Sequence, residues 1–207
     1  MIQDLLFPDF VDESIEDKTS GTFVDNMKLP VHRWYRYTAG FSAAWVGDLI
    51  EREKRLGRHH VLDPFAGSGT VPVEGLLHGV DTKGVEANPY VYSIAEAKLR
   101  WIDIEPDRLE RECFAVLDRA QRLTPGDEKH PELVEKCFPT ETLKRLDALK
   151  LAREDLRDPD IKDFVWFLIT SILRPCSPVG TAQWQYIQPR KSKAKVADPF
   201  DAYRNKV

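Results

Sequence analysis

A chain of 207 residues, 42% apolar and 31% charged, has the composition of a protein that builds a core, which excludes disordered and fibrous classes. Its formal charge of −4 excludes a uniformly basic nucleic-acid coat, so any polyanion contact must come from a local patch.

Residues 1–30 read as an extended acidic arm, without the charged and then apolar run of a signal peptide. Leu29 and Pro30 close it, and the chain turns aromatic and basic through His32, Arg33, Trp34, Tyr35, Arg36 and Tyr37. Residues 41–56 are expected to be helical, because Phe41, Trp45, Leu49 and Leu56 recur at near-helical spacing and Gly57 supplies a stop. A short strand over residues 60–62 runs into a glycine turn, followed by a helix over about 71–78 that Gly79 ends. A second strand over 82–85 stops at Glu86, and 90–99 is helical again. This order is the first half of a doubly wound α/β unit.

After residue 104 the texture changes. Pro106 suits the first turn of a helix carrying Leu109, Val116, Leu117 and Leu123. Thr140 is expected to cap a helix bearing Leu143, Leu146, Leu149 and Leu156. Residues 161–173 are apolar nearly all round and predict a buried helix broken at Pro175. Its apolar run is shorter than the roughly 20 residues that span a bilayer. No strand is expected between about 105 and 175. The resulting division is an N-terminal arm (1–40), a donor-binding α/β half-domain (41–104), a helical insertion (105–174) and a basic aromatic C-terminal segment (175–207). In that last segment six cationic side chains stand against two acidic ones between residues 185 and 207, interleaved with Trp184, Tyr186, Phe200 and Tyr203. Lys191, Lys193 and Lys195 are the expected nucleic-acid contacts. Cys113, Cys137 and Cys176 form no CxxC pair and read as free thiols of a cytoplasmic protein, with no metal site expected.

Chemistry concentrates in residues 63–70, DPFAGSGT. Gly67 and Gly69 let the backbone turn sharply beneath a ligand, and the N–H groups of the following helix point at the same place. Glu86 lies 23 residues after Asp63, near the spacing at which an acid reaches the hydroxyls of a ribose. A phosphate-gripping loop is excluded because no Lys follows Gly69, and the dinucleotide pattern lacks its third glycine. Asp63 beside the turn would repel a pyrophosphate but attract the ammonium group of S-adenosylmethionine, so the charge sign favours the methyl donor over NAD.

The same residues resemble the donor-binding motif of the DNA amino-methyltransferases, which act on adenine N6 or cytosine N4. The continuation Gly84-Val85-Glu86-Ala87-Asn88-Pro89-Tyr90 is similar to their second motif, and His32-Arg33-Trp34-Tyr35 with Ala39-Gly40-Phe41-Ser42 resembles the segment before the first. The resemblance covers about residues 30–100. It implies a partial Rossmann-like, S-adenosylmethionine-dependent methyltransferase domain with DNA as partner. It places Asp63, Phe65 and Gly67 at the methionine end of the donor, Glu86 at the ribose, Asn88 by the adenine, and Phe41 and Ser42 closing the site, with Ala66, Gly69 and Ala87 also expected to bind the donor. The family's catalytic motif, Asp/Asn/Ser-Pro-Pro-aromatic, is missing. Asn88-Pro89-Tyr90, Ser177-Pro178-Val179 and Asp198-Pro199-Phe200 each have a single proline. No catalytic residue is therefore assigned, and a further segment or second subunit is expected to supply the motif. An RNA methyltransferase of the guanine-N2 type, with RNA as partner, remains open. So does a non-catalytic partner that keeps the donor fold. An NAD-linked oxidoreductase is disfavoured by Asp63.

Overall fold

The computed structural model describes residues 23–126, 128–180 and 193–207. Two short 3₁₀ turns, Phe23–Lys28 and His32–Trp34, lead to helix α1 (Ala43–Arg55). Strand β1 (His60–Asp63), helix α2 (Thr70–His78), strand β2 (Asp81–Gly84) and helix α3 (Pro89–Arg100) follow. The remainder is helical: α4 (Pro106–Arg122), α5 (Glu132–Cys137), α6 (Thr140–Glu154), α7 (Pro159–Cys176) and α8 (Pro199–Arg204). The chain is thus mostly helical with one small parallel sheet, and no strand lies between 105 and 175 among the described residues.

β1 and β2 pair in parallel, with His60 opposite Asp81 and Asp63 opposite Gly84. Strand alternation sends Val61 toward α1 and α2, where it packs with Val46, Ile50 and Val80. Leu62 points to the other face and is 66% exposed. Among the described residues nothing covers that face. The main core lies elsewhere, formed by α3, α4, α6, α7 and α8 around Ile94, Val116, Leu149, Val165, Phe167 and Ile172. Ile94 and Ala97 of α3 belong to this core, so one hydrophobic cluster crosses residue 104, where the sequence suggests a boundary.

Several local expectations shift. Phe41 lies outside α1, because Ser42 caps that helix: its Oγ accepts the Trp45 N–H at 3.4 Å. Buried Asn26 fixes the approach, donating to the Phe41 carbonyl and accepting the Ala43 N–H, each at 2.8 Å. Thr140 is the first residue of α6 and not its cap; Pro139 occupies the cap position and makes no side-chain capping bond. Pro175 sits within the last turn of α7, which ends one residue later. Trp184 and Tyr186 lie outside the described residues. Tyr203, one of the aromatics interleaved with the basic residues of the tail, is fully buried: Asp198 caps α8 and turns its apolar side onto α7 and α4. Cys113 and Cys176 are buried free thiols, both with pKa values raised by burial, and Cys137 is half-buried. No helix among the described residues is long and apolar enough to cross a membrane.

Candidate functional site

The glycine turn sits at the carboxyl ends of both strands and is tied to them by backbone hydrogen bonds. The Val85 N–H donates to the Asp63 carbonyl at 2.8 Å, and the Ala66 N–H donates to the Val85 carbonyl at 2.9 Å. Asp63 is 7% exposed, and its Oδ1 accepts the Phe65 N–H at 3.0 Å, closing the first bend. Gly67 and Gly69 then take left-handed conformations, φ +54° and +83°. Neighbours crowd both positions. A Cβ at Gly67 would lie 3.0 Å from the Tyr37 ring, and one at Gly69 would lie 3.0 Å from the Ala95 Cβ. α2 starts at Thr70 with no side-chain cap, so its first N–H groups remain available beside the turn.

Glu86 joins the two motifs. Its Oε2 accepts the Gly67 N–H at 2.9 Å, and its Oε1 accepts the Asn88 N–H at 2.8 Å. Asn88 in turn caps α3, its Oδ1 accepting the N–H groups of Tyr90 at 3.0 Å and Val91 at 3.4 Å. The structure therefore brings Asp63, Ala66, Gly67, Gly69, Glu86, Ala87 and Asn88 together at one end of the sheet. Phe65 projects outward, 85% exposed, and Val85 is 56% exposed beside it. Phe41 is half exposed and packs on Trp45, whereas the Ser42 hydroxyl is turned inward on its capping bond.

Five residues around this site carry little local signal in the sequence. Tyr37 lies against Gly67, and its phenol is pushed above its ordinary range by burial and then by the Glu86 carboxylate. Lys98 of α3 is 2% exposed beneath the turn; its Nζ lies 3.5 Å from Ser68 Oγ, and burial lowers its pKa to about 8. Glu74 of α2 is buried between two imidazoles, 2.6 Å from His32 Nε2 and 3.4 Å from His78 Nε2. His32 reaches it from a tight turn at Val31, whose φ of +62° is unusual for a β-branched residue. His78 also pairs with Glu51 of α1 at 2.8 Å, so this chain of contacts fastens both flanking segments to the helix that follows the turn.

Of the expected nucleic-acid contacts, Lys191 lies outside the described residues. Lys193 donates to the carbonyls of Arg174 at 2.5 Å and Ser177 at 2.9 Å, which anchors the tail to the end of α7. Lys195 is exposed. Among the described residues no group of three or more His, Cys, Asp or Glu is placed to hold a metal ion.

Fold and site define a class first: a mostly helical α/β chain whose parallel β–α–β unit joins a glycine turn to a strand-terminal carboxylate. Sequence comparison narrows this. The chain is 24% identical over 185 residues to the Type II methyltransferase M.MvaI of Kocuria varians, covering 84% of this chain and 40% of that protein. It is 28% identical over 117 residues to M.BsoBI of Geobacillus stearothermophilus, covering 56% and 23%. It is 32% identical over 77 residues to M.AvaI of Anabaena variabilis, covering 37% and 16%. These similarities relate the chain to the Type II DNA methyltransferases. The chain spans less than half the length of each of these relatives. No protein-family model matches it, and no solved structure does so significantly.

Proposed function

We propose that the chain is the S-adenosylmethionine-binding portion of a Rossmann-like DNA amino-methyltransferase, acting on adenine N6 or cytosine N4, and that a further segment or subunit carries the (D/N/S)PP(Y/F) motif. The observation that carries this reading is the Glu86 carboxylate bonded to the amide of Gly67, which brings the acid and the turn together at the carboxyl ends of the two strands. The residues fit the donor. Gly67 and Gly69 hold the left-handed backbone that the turn needs, Asp63 and Glu86 supply the negative charge that a cationic ligand needs, and the start of α2 offers amides to a carboxylate. Glu86 would hold the ribose, Asn88 and Ala87 would lie by the adenine, and Asp63, Phe65, Ala66, Gly67 and Gly69 would take the methionine end. Phe41 borders the site from the segment before α1. When bound, the donor supplies an electrophilic methyl group.

What this chain's own residues do is bind and orient. Transfer to an exocyclic amine also needs acceptors that re-aim its lone pair and an aromatic surface for a flipped base. Both belong to the missing motif. The uncovered sheet face bearing Leu62, with exposed Phe65 and Val85, fits a partner that packs over that face and completes the wall of the site. The helical stretch 105–174 is then the insertion of a larger domain, and the basic C-terminal segment around Lys191, Lys193 and Lys195 faces the DNA.

The test is methyl transfer from labelled donor to DNA and to tRNA. The chain alone should give none, and addition of a polypeptide carrying the motif should restore transfer to DNA. Robust transfer to DNA by the chain alone would overturn the incompleteness, and preferential transfer to tRNA would favour the RNA reading. No transfer with the completing polypeptide would point to a non-catalytic partner.

A further inference from the structure

A groove of about 720 Å³ opens between the aromatic-basic segment before α1, the end of α7 and the C-terminal tail. Six cationic side chains line it: Arg33 and Arg36 from the first segment, Arg174 from α7, and Lys193, Lys195 and Lys206 from the tail. No acidic side chain lines it among the described residues. The chain as a whole carries a net charge of −4, so the groove is a local patch of the opposite sign. Cations converging from three separate segments raise the local positive potential, which favours an anionic ligand. The crowding shows in the lysines. Lys193 is held below its ordinary pKa by burial and then by the Arg174 guanidinium, and Lys206 by burial and then by that of Arg33.

Backbone contacts fix two of these cations in place. Lys193 Nζ is bonded to the Arg174 and Ser177 carbonyls, and Lys206 Nζ lies 3.4 Å from the Arg33 carbonyl. Tyr35 and Tyr90 form one wall, their hydroxyls 3.1 Å apart. Tyr90 is two residues beyond Asn88, so the groove begins where the adenine end of the proposed donor site stops. With six cations on its walls, two of them anchored on backbone carbonyls, the groove suits contact with a charged backbone.

We propose that this groove grips the phosphate backbone of duplex DNA beside the donor turn, setting the position of the duplex while base reading is done elsewhere. Duplex DNA as the polyanion rests on the methyltransferase reading above; the groove itself does not depend on donor binding. The site joins segments on both sides of the α/β unit in sequence, so Arg33 and Arg36 contribute as much as the basic tail. If roughly three phosphates are engaged, the logarithm of the association constant should fall against the logarithm of salt with a slope of about −3.

The experiment is fluorescence anisotropy of a labelled duplex with the full chain, without donor, over a salt series, and donor calorimetry on the same preparations. The Arg33→Ala/Arg36→Ala double variant should bind DNA at least about tenfold more weakly with a slope shallower by about 1–2. The single Lys195→Glu variant, at an exposed position, should weaken binding in the same direction without perturbing the fold. Both should retain wild-type donor affinity, which separates this proposal from the donor reading: a wild-type chain that binds DNA as described but no donor would sink only the latter. Unchanged DNA affinity in both variants, absence of duplex binding by the wild-type chain, salt-independent binding, or much tighter binding of single-stranded RNA than of the duplex would each overturn the groove's assignment.

Discussion

The Glu86 carboxylate and the Gly67 amide meet at 2.9 Å across the parallel strands, with the other carboxylate oxygen on the Asn88 amide. One side chain thus holds the end of β2, the cap of α3 and the turn after β1 in register. Glu86→Ala removes the acceptor for both amides and the charge facing the donor. Hydrogen bonds to an ionised group contribute about 1.5–3 kcal/mol, so donor affinity should fall by roughly 10- to 100-fold. Glu86→Gln should lie between wild type and Glu86→Ala. Calorimetric titration of the three proteins checks the order, and equal affinities would sink the assigned role.

Gly69 combines a left-handed backbone with the Ala95 Cβ at contact distance. Gly69→Ala adds strain of about 1–2 kcal/mol from conformation alone, and Ala95 blocks relaxation. Urea unfolding should show a loss of about 1–3 kcal/mol. Gly126→Ala, where a Cβ would meet nothing within 4 Å, is the control and should stay within about 0.5 kcal/mol of wild type.

Lys98 makes stability depend on pH. Its pKa is lowered from 10.5 to about 8 by burial and then by Lys206. Between those values the unfolded chain binds more protons than the folded one, so unfolding free energy rises with pH through that window. Above pH 9 the Cys113 thiol, raised to about 12, opposes the trend, because the folded state then holds the extra proton. The clear interval is pH 8 to 9, where the lysine should contribute about 1 kcal/mol of added stability. Lys98→Met should reduce that rise, leaving the smaller part that Lys193 and Lys206 contribute in the same direction, and stabilise the chain at pH 7. Urea melts at pH 7, 8 and 9 decide it, and an unchanged slope in the variant would contradict the account.

Glu74 bridges His32 and His78 in a buried setting. Truncating one member of such a cluster leaves the others unpaired, so Glu74→Ala should cost about 3 kcal/mol or more. Glu74→Gln keeps acceptor and shape and should cost less. Thermal or urea unfolding separates them; equal and negligible effects would show that the cluster does not fasten α2 to its neighbours.

The motifs that the sequence makes legible are those with local causes. The turn follows from its glycines, the order of strand and helix from apolar spacing, and the Glu86 position from its distance to Asp63. α1, α2, α3 and α4 fall within a few residues of their expected limits for the same reason, with terminal differences set by caps such as Ser42 and Asn88. Tyr37 over Gly67, Lys98 beneath Ser68 and His32 against Glu74 are contacts between segments that no local pattern announces. The basic-aromatic tail shows that similar side chains in sequence take different places in the fold: Tyr203 is core, whereas Lys193, bonded to the end of α7, also lines the basic groove. The Asp/Asn/Ser-Pro-Pro-aromatic motif is a different case, since its absence is visible in the sequence itself.

Binding of the donor is the claim on which the rest depends, and calorimetric titration of S-adenosylmethionine and of NADH into the chain tests it most directly. The account predicts saturable one-to-one binding of S-adenosylmethionine, unaffected by excess NADH. Binding of NADH in its place, or no binding of S-adenosylmethionine to the folded chain, would contradict it.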